Sequence, residues 1–477
     1  MDKKLLRDLK KLLGADNVLN ESEDLLLYEY DGSVEVAHPD CVVFPQSSVD
    51  VVEIVRAAGR CRVPLLGRGA GTGLSGGALA REGGIIVSFA RMNRILEVDV
   101  ENQRARVQPG VVNSDLSLAV AHTGLHFAPD PSSQKACTIG GNVSENSGGP
   151  HTLAYGVTTN HVLAIEAVLP TGELFKFGSA AVDPVGYDLT GVFVGSEGTF
   201  GLVTEITVRL TRLPESVKTL LAVYDSLDDA TQTVVEITAR GITPAACEMM
   251  DGWTLRAVED YVHAGFPLDA TAVLLIEVDG LPEVVEEEAG AIADVCRLHH
   301  ARSVRVAKDA RERDLLWKGR KNAFGAAGRV SPSYYTQDGV IPRTKLPATL
   351  RRIEEIGRKY NLAIGNVFHA GDGNLHPIIL FDQRNQQQFR DTLRAADEII
   401  EFCISVGGSI TGEHGVGMEK DRLMPLLFSE DDLDLMKRVR SVFNPTGLLN
   451  PGKIFPTSKG CGEIYVRPQS ASAPPAA

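Results

Sequence analysis

Gly67–Ala78 reads GRGAGTGLSGGA, six glycines in twelve residues, and the reading of this stretch decides the fold. Gly71, Gly73 and Gly76 match the pattern GxGxxG. In a nicotinamide-dinucleotide fold that pattern opens a helix, whose N-terminus carries the pyrophosphate. Here Gly76–Gly84 is too short and too glycine-rich for a helix. An apolar run, Val63–Leu66, precedes the loop as a strand, and a second strand resumes at Ile85–Phe89. The unit is therefore strand–loop–strand, which excludes a nicotinamide-type Rossmann site. No GxxxxGK[ST] occurs, so a Walker A loop is absent too. What survives is a set of bare backbone N–H groups able to nest around a pyrophosphate.

Outward from this loop, Ser47 and Ser48 are N-cap candidates for a helix over Pro45–Arg60 with Val51, Val52, Ile54, Val55 and Ala58 inward. Leu96, Val98 and Val100 alternate with acidic residues and turn at Asn102 into Arg104–Gln108, a β-hairpin. Asn113–Thr123 reads as a helix. Pro129–Pro150, PDPSSQKACTIGGNVSENSGGP, is polar and small with little periodicity; an irregular stretch of that length inside a domain is usually functional. Val162–Leu169 and Leu174–Phe177 form another hairpin, and VGSEGTFGLVTEI (194–206) is a third glycine cluster leading into a strand to Leu210. Near Leu213-Pro214 the clusters stop and longer elements alternate, among them strands Leu220–Tyr224 and Ala272–Val278 and helices Leu227–Arg240 and Val284–His299. A domain boundary is expected at about residue 214.

The whole chain limits the function classes. At 477 residues it exceeds one core, so two or three domains are expected. A net charge of −14 with no Lys/Arg block argues against a nucleic-acid binder. The seven cysteines are scattered without a CxxC pair, so neither a disulfide framework nor a cysteine metal or iron–sulfur site is indicated. The N-terminal leucines, Leu5, Leu6, Leu9, Leu12 and Leu13, mark an amphipathic helix whose apolar face packs inward. No run of 18 apolar residues exists, and a cytoplasmic protein is the expectation.

A second centre of chemistry lies at Val367–Pro377, VFHAGDGNLHP. Asp372-Gly373 signals a two-residue hairpin turn, which would oppose Gly371 to Asn374, Ala370 to Leu375 and His369 to His376. Two opposed imidazoles can grip one metal ion, although such a pair can equally be a plain polar cross-strand contact. Further on, ITGEHGVG presents Glu413 and His414 in a glycine-rich loop. Two histidines plus a carboxylate suit Zn²⁺, Fe²⁺ or Mn²⁺ with a position open to substrate.

Taken in order, GRGAGTGLSGGA, PDPSSQKACTIGGNVSENSGGP, YGVTTNHVL, GSEGTFGLVTEI, FHAGDGNLHP, GEHGVG and NPTGLLNPGKIF resemble the FAD-linked oxidases of the vanillyl-alcohol-oxidase type. The likeness spans residues 25–456 and is greatest to the glycolate oxidase D subunits and to D-lactate and D-2-hydroxyglutarate dehydrogenases. It implies an α+β protein. Residues 1–213 would be a two-lobed FAD domain and 214–425 an antiparallel α+β cap with the metal site. Residues 426–456 would return to the flavin, and 457–477 would be a disordered tail. Arg68, Gly69, Ala70, Gly71, Thr72, Gly73, Leu74 and Ser75 would wrap the pyrophosphate. Pro129, Asp130, Ser133, Thr138, Gly140, Gly141, Asn142 and Gly148 would line the ribityl chain and ring. Gly198 and Ile206 would face the adenine side, and Asn450 and Lys453 the flavin ring. No histidine lies between Gly67 and Ala78, so the FAD would be noncovalent.

The resemblance further assigns His369, His376 and Glu413 to a divalent metal, His414 to base chemistry and Arg320 to a substrate carboxylate. Lys318 and Lys321 adjoin Arg320, so the residues alone also allow a solvated basic helix face. Lys321, Asn322, Ala323 and Phe324 after Arg320, and Ile378 after the hairpin, favour a short monocarboxylate over a dicarboxylate. The implied reaction is oxidation of glycolate or D-lactate, with hydride passing from C2 to the flavin. Glycolate-oxidase types also imply a second FAD subunit and an iron–sulfur subunit, and membrane association through them. Competing readings are a subunit active only with partners, a D-2-hydroxyglutarate dehydrogenase, and, from the histidines alone, a metallohydrolase.

Overall fold

The computed structural model describes residues 2–181 and 186–456. The expected tail, 457–477, lies outside the described residues. The architecture is α+β and is built on three principal sheets.

The first sheet runs in the order Val18–Leu19, Cys41–Val43, Ile85–Ser88, Leu65–Arg68. Leu65–Arg68 pairs in parallel with Ile85–Ser88, and no helix intervenes between them. The glycine loop itself makes the crossover that parallel strands require. Helix Ser48–Cys61 starts at the expected cap: Ser47 and Asp50 exchange side chain–backbone bonds as a capping box. It buries Val51, Ile54, Val55 and Ala58 in a core that also takes Leu5 and Leu9 of helix Lys3–Leu13, whereas Leu12 is exposed.

The second sheet is antiparallel, in the order Ile95–Asp99, Arg104–Val107, Leu202–Arg209, Val162–Val168, Leu174–Gly178, and contains both predicted hairpins. Its core includes Ile139 and Val143 of a helix, Ile139–Glu145, inside the stretch read as lacking periodicity. The helix offers one short apolar pair at i, i+4 among glycines, too little for a 3.6-residue pattern to register. Thr138 is its N-cap and accepts the Gly141 N–H.

The third sheet, of nine strands, runs Ser303–Val306, Ser216–Tyr224, Ala272–Gly280, Ala246–Asp251, Ala363–His369, Asn374–Leu375, Gly339–Val340, with Pro377–Phe381 bridging Ala363–His369 and Ser333–Thr336. Strand Ser216–Tyr224 sends Leu220, Ala222 and Tyr224 to one core and Leu221 and Val223 to the other, the period of two that a sheet imposes. Helices Leu227–Ala239 and Pro282–Leu298 cover the first face; Gly252–Val262, Ala310–Lys321 and Ala323–Val330 cover the second.

The hairpin that carries His369 and His376 departs from the predicted two-residue turn. His369 pairs with Asn374, not His376, and the four residues Ala370–Gly373 form the turn, closed by Gly373 N–H to His369 O at 3.1 Å. Gly373 has φ +80° and an added Cβ would lie 2.2 Å from Ile341 O, so the close pass of another segment selects this longer turn. The slip is two residues. It keeps both histidines on one face, because only an odd slip reverses faces.

After helix Glu430–Phe443, Phe443 stacks on Phe200 at 4.5 Å in the second sheet's core. Leu449 then bridges to Leu65, and Asn450 N–H donates to Leu65 O at 2.7 Å. The segment after Phe443 thus lies against the first two sheets.

Candidate functional site

A cavity of about 570 Å³ opens between the glycine loops and the third sheet. Of the predicted cofactor residues, Arg68 through Leu74, Ser133, Thr138, Gly140, Gly141, Asn142 and Gly198 line it. The loops interlock where side chains are missing: a Cβ on Gly69 would sit 2.4 Å from Thr138 Oγ1, and one on Gly140 would sit 2.5 Å from Pro109 Cβ. Gly73, by contrast, faces open space. Arg68 is spent on structure, donating to Tyr30 O (2.8 Å) and Ala78 O (3.1 Å). This glycine-walled cavity has the room and the bare backbone that a dinucleotide needs.

Seven predicted residues stand behind the wall. Ser75 O accepts the Met418 N–H, and Pro129 O accepts from Asn113. Gly148 abuts Glu413, whose Oε2 would be 3.0 Å from an added Cβ. Ile206 is wholly buried between strands Arg104–Val107 and Val162–Val168 and does not reach the cavity. Asn450 donates to Gly77 O (3.1 Å) and Glu197 O (2.7 Å), and Lys453 bonds Leu79 O and Asn450. These two tie the chain's return segment to the first glycine loop.

Asp130, the seventh, anchors a charge cluster. It accepts from His151 Nδ1 at 3.0 Å and Lys321 Nζ at 3.1 Å. His151 Nε2 lies 3.3 Å from Glu277, which also takes Arg313 and the Trp317 indole N–H. Burial alone would depress the His151 pKa, but Asp130 and Glu277 raise it to about 10.

Opposite the glycine loops, His376, Glu413 and His414 face the same cavity. Glu413 Oε1 is 3.4 Å from His369 Nε2 and 3.2 Å from His376 Nε2, and the imidazoles of His369 and His376 are 5.0 Å apart at 89°. One ligand atom from each of the three lies within 4.8 Å of the others, a compact N₂O donor set that fits a divalent cation. His369 Nδ1 bonds Glu248 at 2.8 Å, the outer contact that fixes the tautomer of a metal-binding imidazole. Glu248 also pairs with Arg320; both are 1% exposed. Arg320 does not line the main cavity, yet its Nε has no hydrogen-bond partner among the described residues.

Asp338 folds the GEHG loop. Fully buried, it accepts the N–H groups of Gly412 (3.0 Å), Glu413 (3.3 Å) and His414 (2.9 Å) and the Thr411 hydroxyl. Burial would raise its pKa; His414 and Lys420 hold it below the usual range. The His414 ring stacks on His376 at 5.0 Å, and burial pulls its pKa down to about 4 against the upward pull of Asp338. A neutral imidazole therefore faces the cavity at physiological pH.

Glu248, Asp338, Glu145 and Glu197 were not singled out from sequence. Glu248 carried a signal, being a carboxylate flanked by apolar residues inside the strand ACEMMD (246–251); Asp338 carried none.

The glycine-walled cavity and the facing cap sheet define an FAD-linked oxidase, and the chain belongs to that family. Residues 39–178 match the model of an FAD binding domain, and 213–454 that of the C-terminal domain of FAD linked oxidases. The chain is 46% identical over 461 residues to the glycolate oxidase subunit GlcD of Escherichia coli, covering 96% of this chain and 92% of that one. It is 31% identical to a D-lactate dehydrogenase of Anaerostipes hadrus, covering 88% and 90% respectively. A solved p-cresol methylhydroxylase shares the fold at a TM-score of 0.82 and 17% identity, covering 94% of this chain and 96% of that chain. This is the vanillyl-alcohol-oxidase architecture, and the protein is an FAD-dependent oxidoreductase. Among the described residues no helix is long and apolar enough to cross a membrane.

Proposed function

We propose that the protein oxidises a short 2-hydroxy monocarboxylate, glycolate or D-lactate, to the 2-oxo acid. The observation that carries this is the opening of His376, Glu413 and His414 onto the same cavity as the glycine loops. FAD, held noncovalently, supplies the two-electron acceptor. His369, His376 and Glu413 would hold a divalent metal, whether Zn²⁺, Mn²⁺ or Fe²⁺, which would supply Lewis acidity toward the 2-hydroxyl. His414, neutral in its buried setting, takes the hydroxyl proton as general base. The carboxylate role that the resemblance gives Arg320 requires its guanidinium, buried behind the cavity wall beside Glu248, to turn toward the site. Phe324 and Tyr334, stacked with centroids 6.3 Å apart on the cavity wall, limit the substrate's length.

On this reading residues 1–213 form the FAD domain, 214–425 the cap and 426–456 the return segment. The chain is a cytoplasmic catalytic subunit that passes electrons to a second FAD subunit and an iron–sulfur subunit, and reaches a membrane only through them. An anaerobic visible spectrum tests the activity. The purified protein should be yellow and should bleach with glycolate or D-lactate, not with L-lactate or D-2-hydroxyglutarate. A protein that stays colourless after FAD is added would overturn the proposal.

A further inference from the structure

Two carboxylates that no metal or base role absorbs lie in the wall of the FAD cavity. Glu145 ends helix Ile139–Glu145, and Glu197 lies in the third glycine cluster; both line the cavity. They converge on one point of the GEHG loop. A Cβ on Gly415 would be 2.4 Å from Glu145 Oε2 and 3.0 Å from Glu197 Oε1. Glu145 also reaches the first glycine loop, since a Cβ on Gly77 would be 2.7 Å from its Oε1. The two acids are not equivalent. Burial raises the Glu197 pKa, but Glu197 accepts the N–H groups of Val416 and Gly417, each at 2.7 Å, which partly restore its ionised form. Glu145 Oε2 is sealed from solvent with no hydrogen-bond partner among the described residues. Two carboxyls packed this closely do not both ionise near neutrality, and the proton goes to the one lacking donors.

We propose that Glu145 is a cofactor-binding residue that presents a neutral carboxylic acid to the flavin cavity, so that FAD binds the protein protonated at Glu145 in preference to the ionised form. The groups around it agree with this. Burial, then Glu197 and Asp31, raise its pKa well above the usual range, and Lys453 and Lys420 only partly oppose them. Ionisation would put a second carboxylate charge beside Gly415 in a cavity that must hold an anionic diphosphate. FAD affinity is then constant below the pKa of the cofactor-free protein and falls about tenfold per pH unit above it.

The test is FAD binding to the full-length apoprotein, followed by flavin fluorescence from pH 6.5 to 9.5. Wild type should weaken at least tenfold over this range. Glu145→Gln, which mimics the neutral acid, should bind within about threefold of wild type at the acid end and lack the slope. Lys453, pulled by burial to about 8, titrates in the same window, so Lys453→Met is run alongside and should keep the slope. Should Glu145→Gln not fold, calorimetry of FAD binding to Lys453→Met in buffers of differing ionisation heat decides, with proton uptake above pH 8 expected. A flat wild type, a slope surviving in Glu145→Gln, or no proton uptake would overturn the assignment. No FAD binding at any pH would overturn the flavin reading itself.

Discussion

Replacing His151 by glutamine removes the cation that two buried carboxylates share, and the effect can be worked from the structure. His151 lies 3.0 Å from Asp130 and 3.3 Å from Glu277, and its pKa stands at about 10 against an ordinary 6.5. Each tenfold in proton affinity is worth about 1.4 kcal/mol, so the cluster contributes at most about 5 kcal/mol through this ring. The variant should lose less, because Asp130 keeps Lys321 and Glu277 keeps Arg313. A loss of about 2–3 kcal/mol at pH 7 is expected, below the ~3–5 kcal/mol for a buried charge left alone. The sign follows from the raised pKa. The contribution is full below pH 6.5, declines as pH rises, and is gone above pH 10. Urea unfolding reports it through Trp317, one of two tryptophans, whose ring is 5.5 Å from His151. The gap between wild type and variant should close between pH 7 and 10. A gap that stays constant over that range would refute the argument that His151 is held charged by its neighbours.

Three further outcomes are expected. His414→Ala should lower turnover by about 10²–10⁴ with metal content unchanged, and normal turnover would remove the base assignment. Glu248→Gln removes the charge from the acceptor of His369 Nδ1 and should weaken metal retention ~10–100-fold in a chelator competition; unaltered retention would show that the charge of this outer contact is dispensable. Gly415→Ala must hold alanine at φ +85° with its Cβ 2.4 Å from Glu145 Oε2, so the Glu145 side chain or the GEHG loop must shift. A loss of about 1–3 kcal/mol in thermal unfolding is expected, and an unchanged midpoint would count against the packing described.

Local pattern sufficed wherever chemistry is written in adjacent residues. Six glycines followed by a strand exclude a helix after Gly76, and that alone separates this nucleotide loop from a Rossmann one. The strand at Leu220–Tyr224, the N-cap at Ser47 and both hairpins of the second sheet were legible for the same reason, since each needs only neighbours within a few residues. The His369–His376 pairing was legible in face but not in register: a period of two survives a two-residue slip, whereas the turn length is set by Ile341 passing Gly373. What only the tertiary structure decided is contact between distant segments. Asp130 reads as a pocket residue in its polar stretch, yet Lys321 and His151 claim its carboxylate. Glu248 lies 72 residues from Arg320, Asp338 75 from Glu413 and Glu197 219 from Val416, and no local pattern could pair them. A buried charge is tolerable only with a partner, and partners are chosen by the fold.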